Sequence, residues 1–382
     1  MGRVFERHSL VMDMSMRQEE KKRDQRNKTA EGAIMKLSSI GSKAGLPSEP
    51  YTMGPARTYK ELLFSAGRAG LGTDLIVQAC FGGSGRRTFF IASKEDYNRY
   101  ASTLSVQPDV KIIKRFNRRS AAVEACVTPS CTLVGPLMTD VVGNPELTPY
   151  KGGWAGNGIP AGTCSEEIRT KAREMTRRFG DQLLKEGYRG CFKLEIVIDD
   201  HGEAYPGDLH QLISGASSLT DRAAFALTCA PMFLFHLLGL SGIGCDADVK
   251  GPDDRFSREE FVGSWPHLVI KSTMPLGEIV THAPATGIYR MTLDGSVSYD
   301  RFANPWEAIG SDEQAFFLRL TDAGDFLYKG GCLGVLFVRW RVTNHESELN
   351  ERARDWIRGI ESFYGSRSVT EIQGDKTREP NP

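Results

Sequence analysis

Two acidic residues and a histidine, Glu195, Asp208 and His210, flank a turn in the stretch Glu186–Thr220 (EGYRGCFKLEIVIDDHGEAYPGDLHQLISGASSLT). Two carboxylates that converge on one side of a strand pair can hold a hard cation. Mg²⁺ takes one or two carboxylates and leaves its other positions to substrate phosphates. Phe192, Leu194, Ile196 and Ile198 alternate with Lys193, Glu195, Val197 and Asp199, the period of a half-buried strand. Asp199-Asp200-His201-Gly202 is turn chemistry, and Tyr205 and Leu209 mark the apolar side of a second strand. With an even loop, Glu195 faces Pro206 and Lys193 faces Asp208. Diagonal neighbours on one face lie about 7–8 Å apart or less, so Glu195, Asp208 and His210 share the polar face. A surface hairpin whose polar face is simply wet fits the same alternation. This stretch leaves the two readings open.

A second stretch has phosphate chemistry. Asp74–Cys80 reads as a strand, Phe81–Thr88 (FGGSGRRT) as a glycine-rich loop, and Phe89–Ile91 as a returning strand. Strand–loop–strand is a hairpin tip, not the loop-to-helix turn of a P-loop or a dinucleotide fold. Gly82, Gly83 and Gly85 let backbone N–H groups converge on phosphate oxygens without interference from Cβ. Ser84 and Thr88 add hydroxyls, and Arg86 or Arg87 a charge. The bland alternative is a glycine hairpin with no ligand.

In this order the motifs resemble the ATP-grasp superfamily, in its biotin-carboxylase-like branch of carboxylate–amine ligases. That branch has a YxG before its first acidic residue; here it is Tyr188-Arg189-Gly190, then Glu195. Its E-x-N-x-R-x-S-G pattern is matched by Asp208-Leu209-His210-Gln211-Leu212-Ile213-Ser214-Gly215. Asp replaces Glu at 208, His replaces Asn at 210, and Leu replaces Arg at 212, so the usual chemistry is in question more than the fold. The resemblance covers 31–242 best and the remainder weakly. It implies an α+β fold of two lobes clasping a nucleotide, with a β-rich C-terminal subdomain closing one side of the substrate pocket. It implies ATP and Mg²⁺, with Glu195 and Asp208 holding the metal. The implied nucleotide contacts are Lys36, Gln78, Gly82, Gly83, Ser84, Gly85 and Thr88, with Lys114, Arg115 and Phe116 as the hinge against adenine. Gln78 stands where the family places a lysine against the α-phosphate. His210, Arg86 and Lys193 are the implied catalytic groups. The implied reaction activates a carboxylate as an acyl phosphate and passes it to an amine. Two alternatives stay open: a degenerate nucleotide-binding or scaffolding protein, and a phosphoryl transferase.

The elements that must position these residues follow from the pattern, and their grouping into lobes and a subdomain is what the resemblance implies. Residues 1–30 are a polar arm, too short for the α/β domain that family members carry in front. That domain is therefore expected to be shortened, absent or supplied by a partner. Residues 31–113 form the small lobe, with helices over 31–44 and 59–69. Residues 114–245 form the large lobe, with strands over 121–127 and 132–139 and helices over 165–187 and 219–240. Residues 146–158 (ELTPYKGGWAGNG) show no period and read as an ordered loop, either functional or packed around its own Trp154. His236 reads as a satisfied core histidine. Short strands over 267–272, 287–293, 316–318 and 334–341 and a helix over 347–364 build the subdomain 246–366, and 367–382 are a tail. By the same resemblance Arg290, Arg339 and Arg341 are candidates for a substrate carboxylate, with a solvated strand arginine as the plain alternative for each.

Composition excludes several classes. The chain has 48 basic and 48 acidic residues, so no whole-chain field favours nucleic acid or membrane. No run reaches the roughly 20 apolar residues of a spanning helix, and the charged N-terminus lacks the apolar segment of a secretory leader. The 8 cysteines lack zinc or disulfide spacing. The expectation from composition is a cytoplasmic protein with no nucleic acid and no membrane; the resemblance implies small-molecule carboxylate and amine substrates, and a homodimer is compatible with both.

Overall fold

The computed structural model describes residues 39–79, 88–116, 118–158, 164–211, 213–217, 220, 231–241, 265–275, 277–304, 308–344 and 348–368. Lys36 and the segment Gly82–Arg86 lie outside them. The small lobe is a four-stranded antiparallel sheet of β1 (Tyr51–Gly54), β2 (Leu75–Ala79), β3 (Thr88–Ile91) and β4 (Val110–Lys114), in the order β1-β4-β2-β3. Helix α1 (Tyr59–Arg68) joins β1 to β2, and α2 (Lys94–Leu104) joins β3 to β4. Each starts at a side-chain cap: Thr58 accepts from the Glu61 N–H, and Ser93 from the Asp96 N–H, both at 3.1 Å. The strand period sorts the side chains. Leu75, Val77, Ala79, Phe89, Ile91, Val110 and Ile112 pack with the buried helix residues Leu62, Ala66, Tyr97 and Leu104. Their alternates Ile76, Gln78, Thr88, Phe90 and Lys111 face a cleft.

The large lobe is built from β5 (Arg118–Val127), β6 (Thr132–Val142), β7 (Trp154–Gly158), β8 (Gly190–Asp199) and β9 (Ala204–His210). Helix α3 (Glu166–Lys185) covers one face, capped by Ser165, which accepts from the Ile168 N–H at 3.3 Å. Its buried Ile168, Ala172, Met175, Phe179 and Leu183 pack on Val123, Ala125, Phe192, Leu194 and Ile196. Helix α4 (Met232–Leu240) packs through Met232 and Phe235 on Cys126, Leu133 and Cys191, the strand residues of opposite parity. On it His236 is 3% exposed, and its Nδ1 accepts from the Cys191 N–H at 2.9 Å, so it is a satisfied core histidine.

The sheet does not stop at residue 245. β7 pairs with β10 (His267–Lys271), and the order continues through β16 (Cys332–Phe337), β14 (Gln314–Arg319), β12 (Gly287–Met291) and β13 (Val297–Arg301) to make ten strands. A three-stranded sheet of β11 (Glu278–His282), β15 (Phe326–Leu327) and β17 (Gly365–Ser368) stands beside it. Helix α5 (Glu351–Glu361) closes this end with Trp356, Ile357 and Ile360 in the core. β7 corrects the sequence reading of 146–158 as an ordered loop, for its last five residues are a strand. Its glycines hide the period, and Gly156, at φ +142°, lies so close to the next strand that a Cβ would meet the His267 carbonyl oxygen. Among the described residues no helix is long and apolar enough to cross a membrane. The five described cysteines are free thiols.

Candidate active site between the lobes

The polar faces of the two lobes enclose a cleft of about 630 Å³. The hairpin β8–β9 brings Glu195 and Asp208 to its large-lobe wall, but by a register that the sequence reading missed. Asp199 N–H donates to the Glu203 carbonyl at 3.0 Å, and Ile198 pairs with Ala204. The loop therefore holds three residues rather than an even number. Gly202 at φ +79° permits it, and the Asp199 carboxylate accepts the His201 and Glu203 N–H groups. On that register Asp208 would point away from Glu195. A bulge restores it: Ile196 pairs with Pro206 and Leu194 with Leu209, so Gly207 and Asp208 together oppose Glu195. Lys193 pairs with His210, not with Asp208. Pro206-Gly207 inside a strand was the available signal, because proline removes a ladder donor and glycine admits the close approach to the Glu195 Cβ.

Charge is concentrated here. His210 Nε2 lies 2.9 Å from Glu195 Oε1 and donates to it, since an ionised carboxylate only accepts. Lys193 Nζ lies 3.6 Å from the same oxygen and 4.0 Å from Asp140 Oδ1. Burial opposes ionisation of Glu195, but the His210 hydrogen bond and the Lys193 and His210 charges outweigh it and hold the carboxyl at about 2. Asp208 opens onto the cleft, yet desolvation between the lobes, followed by the Glu195 charge, raises its pKa. Asp140, 6% exposed, is also raised by burial despite Lys193, and it accepts from Asn157 Nδ2 at 2.5 Å and Ser120 Oγ at 3.1 Å. Asp140 is a third carboxylate on the large-lobe wall of the cleft. Its strand was read as ending at Thr139, one residue short of it.

The donor set fits a hard divalent cation. Glu195 and Asp208 are oxygen donors on facing strands, and a cation held by both would offset the desolvation and, after it, the Glu195 charge that raise Asp208. Among the described residues no group of three His, Cys, Asp or Glu side chains is placed to hold a metal ion.

The small-lobe wall carries Gln78 and Thr88 at the root of the glycine segment, with Lys111 beside them. Arg115 and Phe116 also line the cleft, and Phe116 meets the Tyr205 ring edge-on at 6.5 Å. Lys114 is exposed and does not line it; its N–H donates to the Pro50 carbonyl, and that of Arg115 to Asp74. Trp154 lines the cleft too, with two buried ammonium groups near its ring, Lys193 at 5.5 Å and Lys271 at 5.6 Å from the centroid. Its Nε1 donates to Asn157 at 3.1 Å, and Gly215 of the turn after β9 lies against the ring. Next to it His267 is fully buried. Burial and Lys193 lower its pKa to about 3, and neither ring nitrogen has a hydrogen-bond partner among the described residues. Arg290 pairs with Asp300, Arg339 lies over Trp265, and Arg341 donates to Asn344; none lines the cleft.

Two α+β lobes closing on one cleft have the ATP-grasp fold in its biotin-carboxylase-like form. Solved structures share it. A carboxyaminoimidazole ribonucleotide synthase from Aspergillus clavatus, complexed with ATP, superposes with a TM-score of 0.57 at 18% identity over 86% of this chain and 72% of that one. The biotin carboxylase domain of a Hydrogenobacter thermophilus 2-oxoglutarate carboxylase, with MgADP, ADP and bicarbonate, gives 0.58 at 14% over 88% and 66%. Campylobacter jejuni biotin carboxylase gives 0.56 at 12% over 90% and 69%. No family model matches the sequence, and no curated protein does.

Proposed function

We propose that the protein is an ATP-dependent carbon–nitrogen ligase that activates a carboxylate as an acyl phosphate and passes it to an amine. The observation that carries this reading is the placement of Glu195 and Asp208 in the same cleft as Gln78 and Thr88, which flank the glycine segment. A cation end and a phosphate end thus share one enclosed space. When bound to Glu195 and Asp208, Mg²⁺ supplies charge neutralisation on the transferring phosphoryl group.

The chain's own residues position and polarise. Glu195 is kept ionised by His210 and Lys193. His210 holds one carboxylate oxygen and so fixes the side chain that grips the metal. Arg115 and Phe116 line the cleft in the connection between β4 and β5 and form the nucleotide's seat. Arg86 and Lys36 remain candidates from the sequence. A substrate carboxylate oxygen attacks the γ-phosphorus and ADP leaves. The amine nitrogen then attacks the acyl carbon, phosphate departs, and the nitrogen loses a proton.

The decisive assay incubates the protein with ATP and Mg²⁺, screens carboxylates, bicarbonate included, against amines for phosphate release, and identifies products by mass. ADP release together with a product joined through a new carbon–nitrogen bond is the expected result. A phosphorylated product with no such bond assigns phosphoryl transfer instead, and nucleotide binding without turnover assigns a binding protein.

Lobe closure gives a second expectation. Gly152 of the large lobe faces Thr88 of the small lobe, and a Cβ there would lie 3.0 Å from the Thr88 Cβ. Gly152→Val should prop the lobes apart and weaken ATP binding roughly tenfold, the scale of one overpacked contact. Its melting temperature should stay near wild type, since the residue lies at the cleft and not in either core. Nucleotide titration checks the first and thermal unfolding the second.

A further inference from the structure

The geometry points to Lys111, Gln78 and Thr88 as one anion-binding row, in which Lys111 carries the positive charge for the polyphosphate of a nucleoside di- or triphosphate. This deepens the nucleotide reading above and rests on it. Gln78 pairs directly with Thr88 on one side and with Lys111 on the other. Directly paired residues of adjacent strands point to the same face, and all three side chains line the cleft. An amide, a hydroxyl and an ammonium are thus set in a line across three strands, about 4.8 Å from one to the next. The line begins at the root of the glycine segment and shares its cleft with Glu195 and Asp208.

Lys111 is built to stay there. It is 5% exposed, its Nζ donates to Glu49 Oε1 at 3.0 Å, and it lies 5.0 Å from the Tyr51 ring centroid. An ammonium has three donors, and among the described residues the one hydrogen bond recorded for it goes to Glu49. Glu49 also receives Arg118 at 3.2 Å. With Arg118, which belongs to β5, this cluster of one carboxylate and two cations has a formal charge of +1. Glu195, Asp208 and Asp140 line the same cleft. A cationic cluster and an acidic group in one cleft suit a polyphosphate that carries a divalent cation. Arg115 is a weaker candidate for the charge, because it pairs with Asp74 at 3.4 Å with both side chains about half exposed.

The test is calorimetric titration of wild type, Lys111→Gln and the exchanged variant Gln78→Lys/Lys111→Gln with adenosine, with ADP plus Mg²⁺, and with tripolyphosphate plus Mg²⁺. Lys111→Gln should bind ADP and tripolyphosphate roughly 10- to 100-fold more weakly, the range of one charged hydrogen bond, and adenosine as wild type does. The exchanged variant should regain affinity for ADP, because the charge has moved only one strand along the row. Where Lys111→Gln does not fold, Glu49→Gln/Lys111→Gln, which leaves neither partner of that ion pair charged, carries the same comparison. Equal ADP affinity in wild type and Lys111→Gln overturns the row and leaves the nucleotide reading standing. An exchanged variant no tighter than the single one overturns the claim that the row acts as one site. Tripolyphosphate bound by wild type without ADP keeps the row and removes the nucleotide reading, and binding of neither removes both.

Discussion

Glu195→Gln lowers MgATP-dependent turnover at least about 10³-fold, a loss of roughly 4 kcal/mol of transition-state stabilisation. Glutamine keeps the shape and the hydrogen bond to His210 but removes the charge that faces Asp208 across the bulge. Lys193 still has Asp140 at 4.0 Å, so the fold survives the change. ATP-dependent phosphate release measures the first point and circular dichroism the second. More than about a tenth of wild-type turnover in a folded variant takes Glu195 out of the mechanism. Asp208→Asn should cost a similar factor, with one difference. Glu195 sits at about 2 and stays ionised over the working range, whereas Asp208 is raised by desolvation and by Glu195. On acidification Asp208 therefore takes up its proton first, and a protonated carboxyl is a poor metal ligand. Mg²⁺ affinity should fall as the pH drops through the raised Asp208 value, well before Glu195 titrates.

What the sequence disclosed was local. Alternation over 192–198 identified β8 and its polar face, and Ser165 before two glutamates marked the start of α3. Both depend on neighbours within a few residues. Asp140, Lys111 and Glu49 were not legible, because their significance comes from pairings across long stretches of chain. Lys111 matters because β4 inserts between β1 and β2 and stands beside Gln78. Asp140 matters because β6 and β8 both flank β5, which brings Lys193 within reach. Loop parity was a subtler failure. An even and an odd loop put opposite faces of β9 toward the cleft, and the bulge at Gly207–Asp208 cancelled the error. The correct polar face was thus reached from a wrong register. The joining of the large lobe to the β-rich end through β7 was hidden because Gly152, Gly153, Gly156 and Gly158 break the apolar alternation that marks a strand.

Glu124 carries the second large effect, on stability. It is wholly buried on β5, at the irregular pairing with β6. Its carboxyl is met by the hydroxyls of Ser214, Ser217 and Thr220, all from the turn that follows β9. No cation pairs with it among the described residues, and burial raises its pKa although the hydroxyls and the Ser214 backbone lower it. Glu124→Ala leaves those hydroxyls without their shared partner and opens a cavity, and should cost about 3–5 kcal/mol, read from the denaturant midpoint. The same change releases the turn whose Gly215 lies against Trp154, so turnover should fall with stability. The linkage sign follows from the raised folded-state value. The native state holds the proton more tightly than the unfolded chain, so this group's contribution is complete below the ordinary glutamate value of 4.5 and is lost as the pH rises through the raised one. Glu124→Gln mimics the protonated form and lacks that dependence, while Glu195, Asp140 and Asp208 titrate alike in both proteins. The stability of Glu124→Gln relative to wild type should therefore increase as the pH climbs above about 4.5. A difference that stays flat, or runs the other way, would show that the buried carboxyl is ionised throughout and that the hydroxyls alone compensate its charge.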